Sequence, residues 1–179
     1  MSPKEKVKIF LDGSNFYYYC RDIGIPAYPN FDFERLINIL ANDRLIKEKS
    51  YYVGVVRGKP SDSKSMKMMA KQMSFFSYLK KNEWRINKGY LLKTKGKHHE
   101  KGVDVKLALD LALGAVDDLY DVAILISSDT DILPAVEEAK LRGKKVEYIG
   151  FSSNPSKAML NKCDRSTLIG KKILRSCVI

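Results

Sequence analysis

The run Val122-Ala123-Ile124-Leu125-Ile126 constrains this chain more than any other stretch. It is too short for a helix, and three of its five residues are β-branched. Such a run reads as a strand buried on both faces, the kind found in parallel sheets covered by helices on either side. Ser127 and Ser128 follow it, and then two acids one residue apart, Asp129 and Asp131. Carboxylates at the end of a doubly buried strand need partners, because a charge stripped of water and left unpaired is costly.

Around that run, strand signals alternate with helix signals. Residues 7–12 form a strand, with Ser14 or Asn15 as candidate caps for a helix that carries Phe16, Tyr19, Cys20 and Ile23 on one side. Phe33, Leu36, Ile37 and Leu40 mark a second helix, with Asp32 as its cap. Residues 51–56 read as a strand and 64–81 as a long helix. That helix turns Met66, Met69, Met73 and Phe76 to the core and Lys64, Lys67, Lys71, Lys80 and Lys81 outward. Residues 84–92 are extended, 93–102 form a polar basic loop, and 103–116 a helix. Leu133, Val136 and Ala139 belong to a helix that Gly143 ends, and 145–150 is a further strand. This alternation predicts an α/β fold around a central, mostly parallel sheet. A length of 179 residues suits one domain, with its core over 7–150 and a C-terminal helical extension over 151–179. In that extension, helices are expected near 158–160 and over 168–174.

Lysine and arginine outnumber the acids 32 to 21, giving a net charge of +11. That balance points to a polyanionic partner and says nothing of fold. No apolar stretch approaches the roughly 18 residues of a membrane span, and the polar N-terminus has no signal-peptide pattern. Three cysteines without metal-ligand spacing favour a reducing compartment. The expected location is cytoplasmic.

Asp12 ends the first strand, and Asp129 and Asp131 follow the strand at 122–126. Local sequence does not fix strand order. In a doubly wound sheet of order 3-2-1-4-5, however, these strands are neighbours, and ligands bind in the crevice at their carboxyl ends. Asp104 opens the helix over 103–116 and shares a face with Leu107, Ala108 and Leu111, which places it beside apolar surface. Asp110 lies about 120° away and ranks behind it. Acids gathered in one crevice raise one another's pKa, and a hard divalent cation relieves the repulsion. Mg2+ and Mn2+ prefer such oxygen ligands, and can activate a water and polarise a phosphoryl group. Each acid also has a plainer reading: Asp12-Gly13 as a turn, Asp131 as a helix cap, Asp104 as a first-turn acid matched to the helix dipole.

The same residues carry a family likeness. Asp12-Gly13-Ser14-Asn15, Lys101-Gly102-Val103-Asp104-Val105 with Asp110, Ser127-Ser128-Asp129-Thr130-Asp131 and Gly143-Lys144-Lys145-Val146 resemble the NYN domain, in family order. The likeness leans to the LabA-like branch of the PIN-like, FLAP-nuclease-like superfamily. It departs from the family habit at Ser128, where glycine is common, and at Ile132, where an aromatic is common. It implies a PIN-like three-layer sandwich with strand order 3-2-1-4-5. It also implies metal-dependent ribonuclease activity, with Asp12, Asp104, Asp129 and Asp131 around a Mg2+ or Mn2+ ion and Asn15 orienting a ligand or water.

For substrate, the basic loop offers Lys93, Lys95, Lys97 and Lys101 as phosphate contacts, with the lysine face of the helix over 64–81 as a second surface. Tyr19 falls on a core stripe, so Tyr17 or Tyr18 is left to stack on a base. The expected activity is hydrolysis of phosphodiester bonds in single-stranded or structured RNA by an activated water. The competing readings are a non-catalytic RNA-binding regulator that keeps the fold, and a phosphohydrolase for a small substrate. Leu168-Ile169 and Cys177-Val178-Ile179 are apolar and have either the core or a second copy of the chain to pack on.

Overall fold

The 122–126 run is the strand its composition demands, and its neighbours explain why both faces are apolar. The computed structural model describes residues 4–26, 28–56, 58–94 and 97–179, with the side chains of 90–101 outside that description. Eight strands and seven α-helices are assigned among the described residues. In chain order they are β1 (Lys6–Asp12), α1 (Gly13–Asp22), α2 (Phe33–Ala41), β2 (Leu45–Val53), α3 (Ser63–Lys81), β3 (Trp84–Lys88), β4 (Tyr90–Thr94) and β5 (Lys97–Lys101). Then follow α4 (Val103–Val116), β6 (Val122–Ile126), α5 (Leu133–Leu141), β7 (Lys145–Phe151), α6 (Lys157–Lys162), β8 (Arg165–Ile169) and α7 (Lys171–Ser176). A short 3-10 turn, Thr130–Ile132, leads into α5.

Six strands form one parallel sheet in the order β3-β2-β1-β6-β7-β8. Numbered within the sheet alone, that order is 3-2-1-4-5-6, so the expected 3-2-1-4-5 is present with a sixth strand added. Side chains alternate across the sheet. Val122, Ile124 and Ile126 of β6 enter the core shared with α1, α2 and α3. Ala123 and Leu125 enter the core shared with α4, α5 and α6. All five are fully buried, and the result is a helix–sheet–helix sandwich. Among the described residues, no helix is long and apolar enough to cross a membrane.

Four local expectations need correcting. The C-terminal stretch is not purely helical: Arg165–Ile169 is the sixth strand, and the last helix begins only at Lys171. Ile169 is buried and Ile173 packs against the same core, and their four-residue separation imitates helical spacing. Of the polar loop expected over 93–102, Lys93 and Thr94 end β4 and Lys97–Lys101 form β5, its antiparallel partner, while 95–96 lie outside the described residues. Strand β2 starts at Leu45 and ends at Val53. Its charged first half pairs with β1 at the surface, and beyond Val53 the backbone is held by Gln72, whose Oε1 accepts the Val56 N–H at 2.8 Å. On α3 only Phe76 and Leu79 are buried, whereas Met66 and Met73 are exposed. The first half of that helix flanks an open groove and does not cover the sheet.

Candidate metal and nucleic-acid site

Strands β1 and β6 are the neighbours at which the sheet reverses its winding, and their register pairs Leu11 with Ile126. The next residues, Asp12 and Ser127, therefore leave the sheet side by side at its carboxyl edge. An open cleft of about 430 Å3 lies there, lined by Asp12, Asn15, Tyr18, Gly102, Asp104 and Asp129 among others.

Asp12 is nearly buried, at 4% exposure. Its Oδ1 accepts the Asn15 backbone N–H at 3.0 Å, which makes Asp12, rather than Ser14 or Asn15, the cap of α1. Its Oδ2 accepts the Ser127 hydroxyl at 2.9 Å. Ser127 Oγ in turn accepts the Asp129 N–H at 3.1 Å, so one fully buried hydroxyl ties two acids together. Asp129 Oδ1 accepts the Asp131 N–H at 2.9 Å, which fixes the 3-10 turn. The expected capping role thus belongs to Asp129, and the Asp131 carboxylate is exposed. Asn15 Oδ1 accepts the Ser128 N–H at 3.4 Å. Ser128 Oγ pairs with the Tyr148 hydroxyl at 2.8 Å, and that hydroxyl also accepts the Ser156 N–H.

Gly102, with φ of +84°, turns the chain from the hairpin into α4 and so aims the first turn at the cleft. Leu107 and Leu111 anchor the buried side of that helix. Asp104 heads the same face but remains exposed as a residue. Asp110 stands apart from the cleft: its Oδ2 accepts the Tyr52 hydroxyl at 3.0 Å, and its Oδ1 pairs with Lys106.

The electrostatics match this convergence. Burial, reinforced by the charges of Asp104 and Asp129, raises the pKa of Asp12 despite hydrogen bonds from Asn15 and Ser127 that act the other way. Partial loss of water, then the charges of Asp129 and Asp131, raise that of Asp104. The four acids thus feel one another across one cleft. Their chemistry, all oxygen and all anionic, suits a hard divalent cation. As the side chains stand, no three His, Cys, Asp or Glu groups among the described residues are close enough together to hold an ion.

The side chains of Lys93, Lys95, Lys97 and Lys101, like those of His98 and His99, lie outside the described residues. Lys101 immediately precedes Gly102 in the cleft wall. Sequence reasoning gave Ser127 no role; its signals were a small polar residue directly after the buried strand and its place at the head of the Ser127–Asp131 motif.

The chain matches the NYN domain family over residues 6–170. It is 37% identical over 70 residues to an uncharacterized protein of Methanocaldococcus jannaschii, a match that covers 39% of this chain and 29% of that protein. Its fold is similar to the crystal structure of a Vibrio parahaemolyticus protein of unknown function, with a TM-score of 0.70, 25% identity and 96% of both chains covered. With a family match that takes in β1 through β8, and with the acids of its motifs at the carboxyl edge of the sheet, the chain belongs to the NYN domain family, whose members are generally PIN-like nucleases.

Proposed function

We propose that this chain is a metal-dependent ribonuclease acting at the cleft between β1, β6 and α4. The observation that carries the reading is the meeting of Asp12, Asp104 and Asp129 in one open cleft, with Asp131 near enough to raise the pKa of Asp104. Asp12, Asp104, Asp129 and Asp131 would hold a Mg2+ or Mn2+ ion, which when bound activates water, polarises the phosphoryl oxygen and stabilises the leaving oxygen.

The chain's own residues then have distinct tasks. Asp12 is fixed from two sides by Asn15 and Ser127 and sets the position of the site. Asp129 keeps one carboxylate oxygen for a ligand while the other caps the following turn. Asn15, anchored through its oxygen, leaves its amide N–H groups to orient a water or a phosphate. Asp131, exposed beside the cleft, completes the acidic set. Lysines of the β4–β5 hairpin and of α3 hold the RNA backbone, consistent with the net charge of +11.

A protein nucleophile is not needed. Burial pushes the thiol of Cys20 up to about 12 and that of Cys163 up to about 11, far from the reactive thiolate range.

The test is incubation of RNA with wild type, Asp12→Asn and Asp129→Asn in Mn2+, in Mg2+ and in EDTA. The reading expects cleavage with either metal to 5′-phosphate products, none in EDTA, and a loss of at least about a hundredfold in both variants. Absence of cleavage with both metals, beside retained RNA binding, would instead support a non-catalytic RNA-binding regulator.

A further inference from the structure

A second hollow adjoins the acidic cleft. It lies between α1, the carboxyl end of β2 and α3, and encloses about 490 Å3. Ser14 and Tyr18 line both hollows, so the two meet along these residues. Its walls are aromatic. Tyr28 and Phe75 lie with ring centroids 5.3 Å apart, and Tyr17 and Tyr18 stand at the mouth, 50% and 53% exposed. Met68 and Lys71 of α3 form the opposite rim, on a helix with five lysines and no acid.

Tyr51 presents a polar atom to the groove. It lines the groove at 5% exposure, and its hydroxyl, which makes no hydrogen bond among the described residues, is not sealed from solvent. The hydroxyls of Tyr52, Tyr120 and Tyr148 are taken up within the protein: Tyr52 donates to Asp110, Tyr120 to the Leu111 carbonyl, and Tyr148 pairs with Ser128.

We propose that this groove is a nucleobase subsite. It takes one unstacked base of a single-stranded RNA whose neighbouring phosphate lies in the acidic cleft. The groove has the volume of a small-ligand pocket, roughly 300–1,000 Å3. Aromatic faces stack on any base, so the subsite selects for an unpaired base more than for its identity. The Tyr51 hydroxyl, open to the groove, pairs with the base edge in place of water. Lys71 meets the backbone at the rim. A base held in a duplex cannot enter, which makes single-stranded or looped RNA the substrate class. The proposal rests on the nuclease reading only for what the adjoining cleft does to the phosphate.

The test measures equilibrium affinity in EDTA for three short ligands of equal length: a single-stranded oligoribonucleotide, the same strand without bases, and a duplex. The single strand is expected to bind about tenfold tighter than the abasic strand and the duplex. Tyr17→Ala and Tyr51→Phe are expected to shrink that preference several-fold while leaving affinity for the abasic strand unchanged, since neither residue lines the acidic cleft. Tyr51→Phe removes only a hydroxyl without a described partner, so the fold is retained. Equal affinity for all three ligands, failure to bind RNA at all, or a preference untouched by both variants overturns the proposal. So does self-association that Tyr17→Ala abolishes, since a second copy of the chain then fills the groove. Because binding is read without metal, a base preference without cleavage keeps the subsite and removes the nuclease. Cleavage without a base preference does the reverse.

Discussion

Ser127 joins two strand ends through one oxygen: it donates to Asp12 and accepts from the Asp129 backbone. Replacing it with alanine strips a buried carboxylate of one donor and leaves a backbone N–H without its acceptor. Ser127→Ala should cost about 1–3 kcal/mol in denaturant unfolding, and cleavage should fall with it; unchanged stability would show that the bridge is dispensable. Asp12 makes a prediction in pH. Burial first, and the charges of Asp104 and Asp129 after it, raise its pKa in the folded chain. The folded state therefore binds more protons than the unfolded state above the ordinary carboxylate range, and stability falls as pH rises through the raised value. Asp12→Asn removes that penalty. In EDTA at pH 7 it should melt above wild type, and the gain should vanish in acid below the ordinary carboxylate range, where both states are protonated. A variant that melts lower at pH 7 would contradict the electrostatic account.

At the scale of elements, what sequence disclosed depended on how many neighbours a segment has. Val122–Ile126 is packed on both faces, so composition alone identified it. The acids were legible for the same reason, because each stands where a well-patterned element begins or ends. Arg165–Ile169 is an edge strand with only Ile169 buried, and one buried residue carries no period. The hairpin was hidden because its second strand, Lys97-His98-His99-Glu100-Lys101, has no apolar alternation. The methionines of α3 misled because helical spacing shows which residues share a face, not whether anything covers it. Gly13 was read as a turn residue, and the structure adds a second reason for it. A Cβ there would collide with the Tyr51 ring, which passes beneath the start of α1. Gly13→Ala should therefore destabilise the fold by about 1–3 kcal/mol and displace the ring that floors the groove; a thermal melt equal to wild type would place that contact in doubt.

Across the whole molecule, the order of the sheet turns scattered acids into a site. Asp12 and Asp129 are 117 residues apart in the chain and become neighbours only because β1 and β6 pair. Asp104 joins them because α4 starts at the same edge. Local sequence could not supply that pairing; the family likeness did, and the observed order agrees with it. The aromatic groove beside the cleft was not legible, since it is assembled from α1, β2 and α3 together. The central claim is that these separated carboxylates act together on one divalent cation. Mn2+ titration followed by electron paramagnetic resonance measures it directly, in wild type, Asp12→Asn, Asp129→Asn and Asp110→Asn. The account predicts saturable Mn2+ binding in wild type and Asp110→Asn, weakened by at least about tenfold in Asp12→Asn and Asp129→Asn. Absence of binding in wild type, or equal binding in all four proteins, would contradict it.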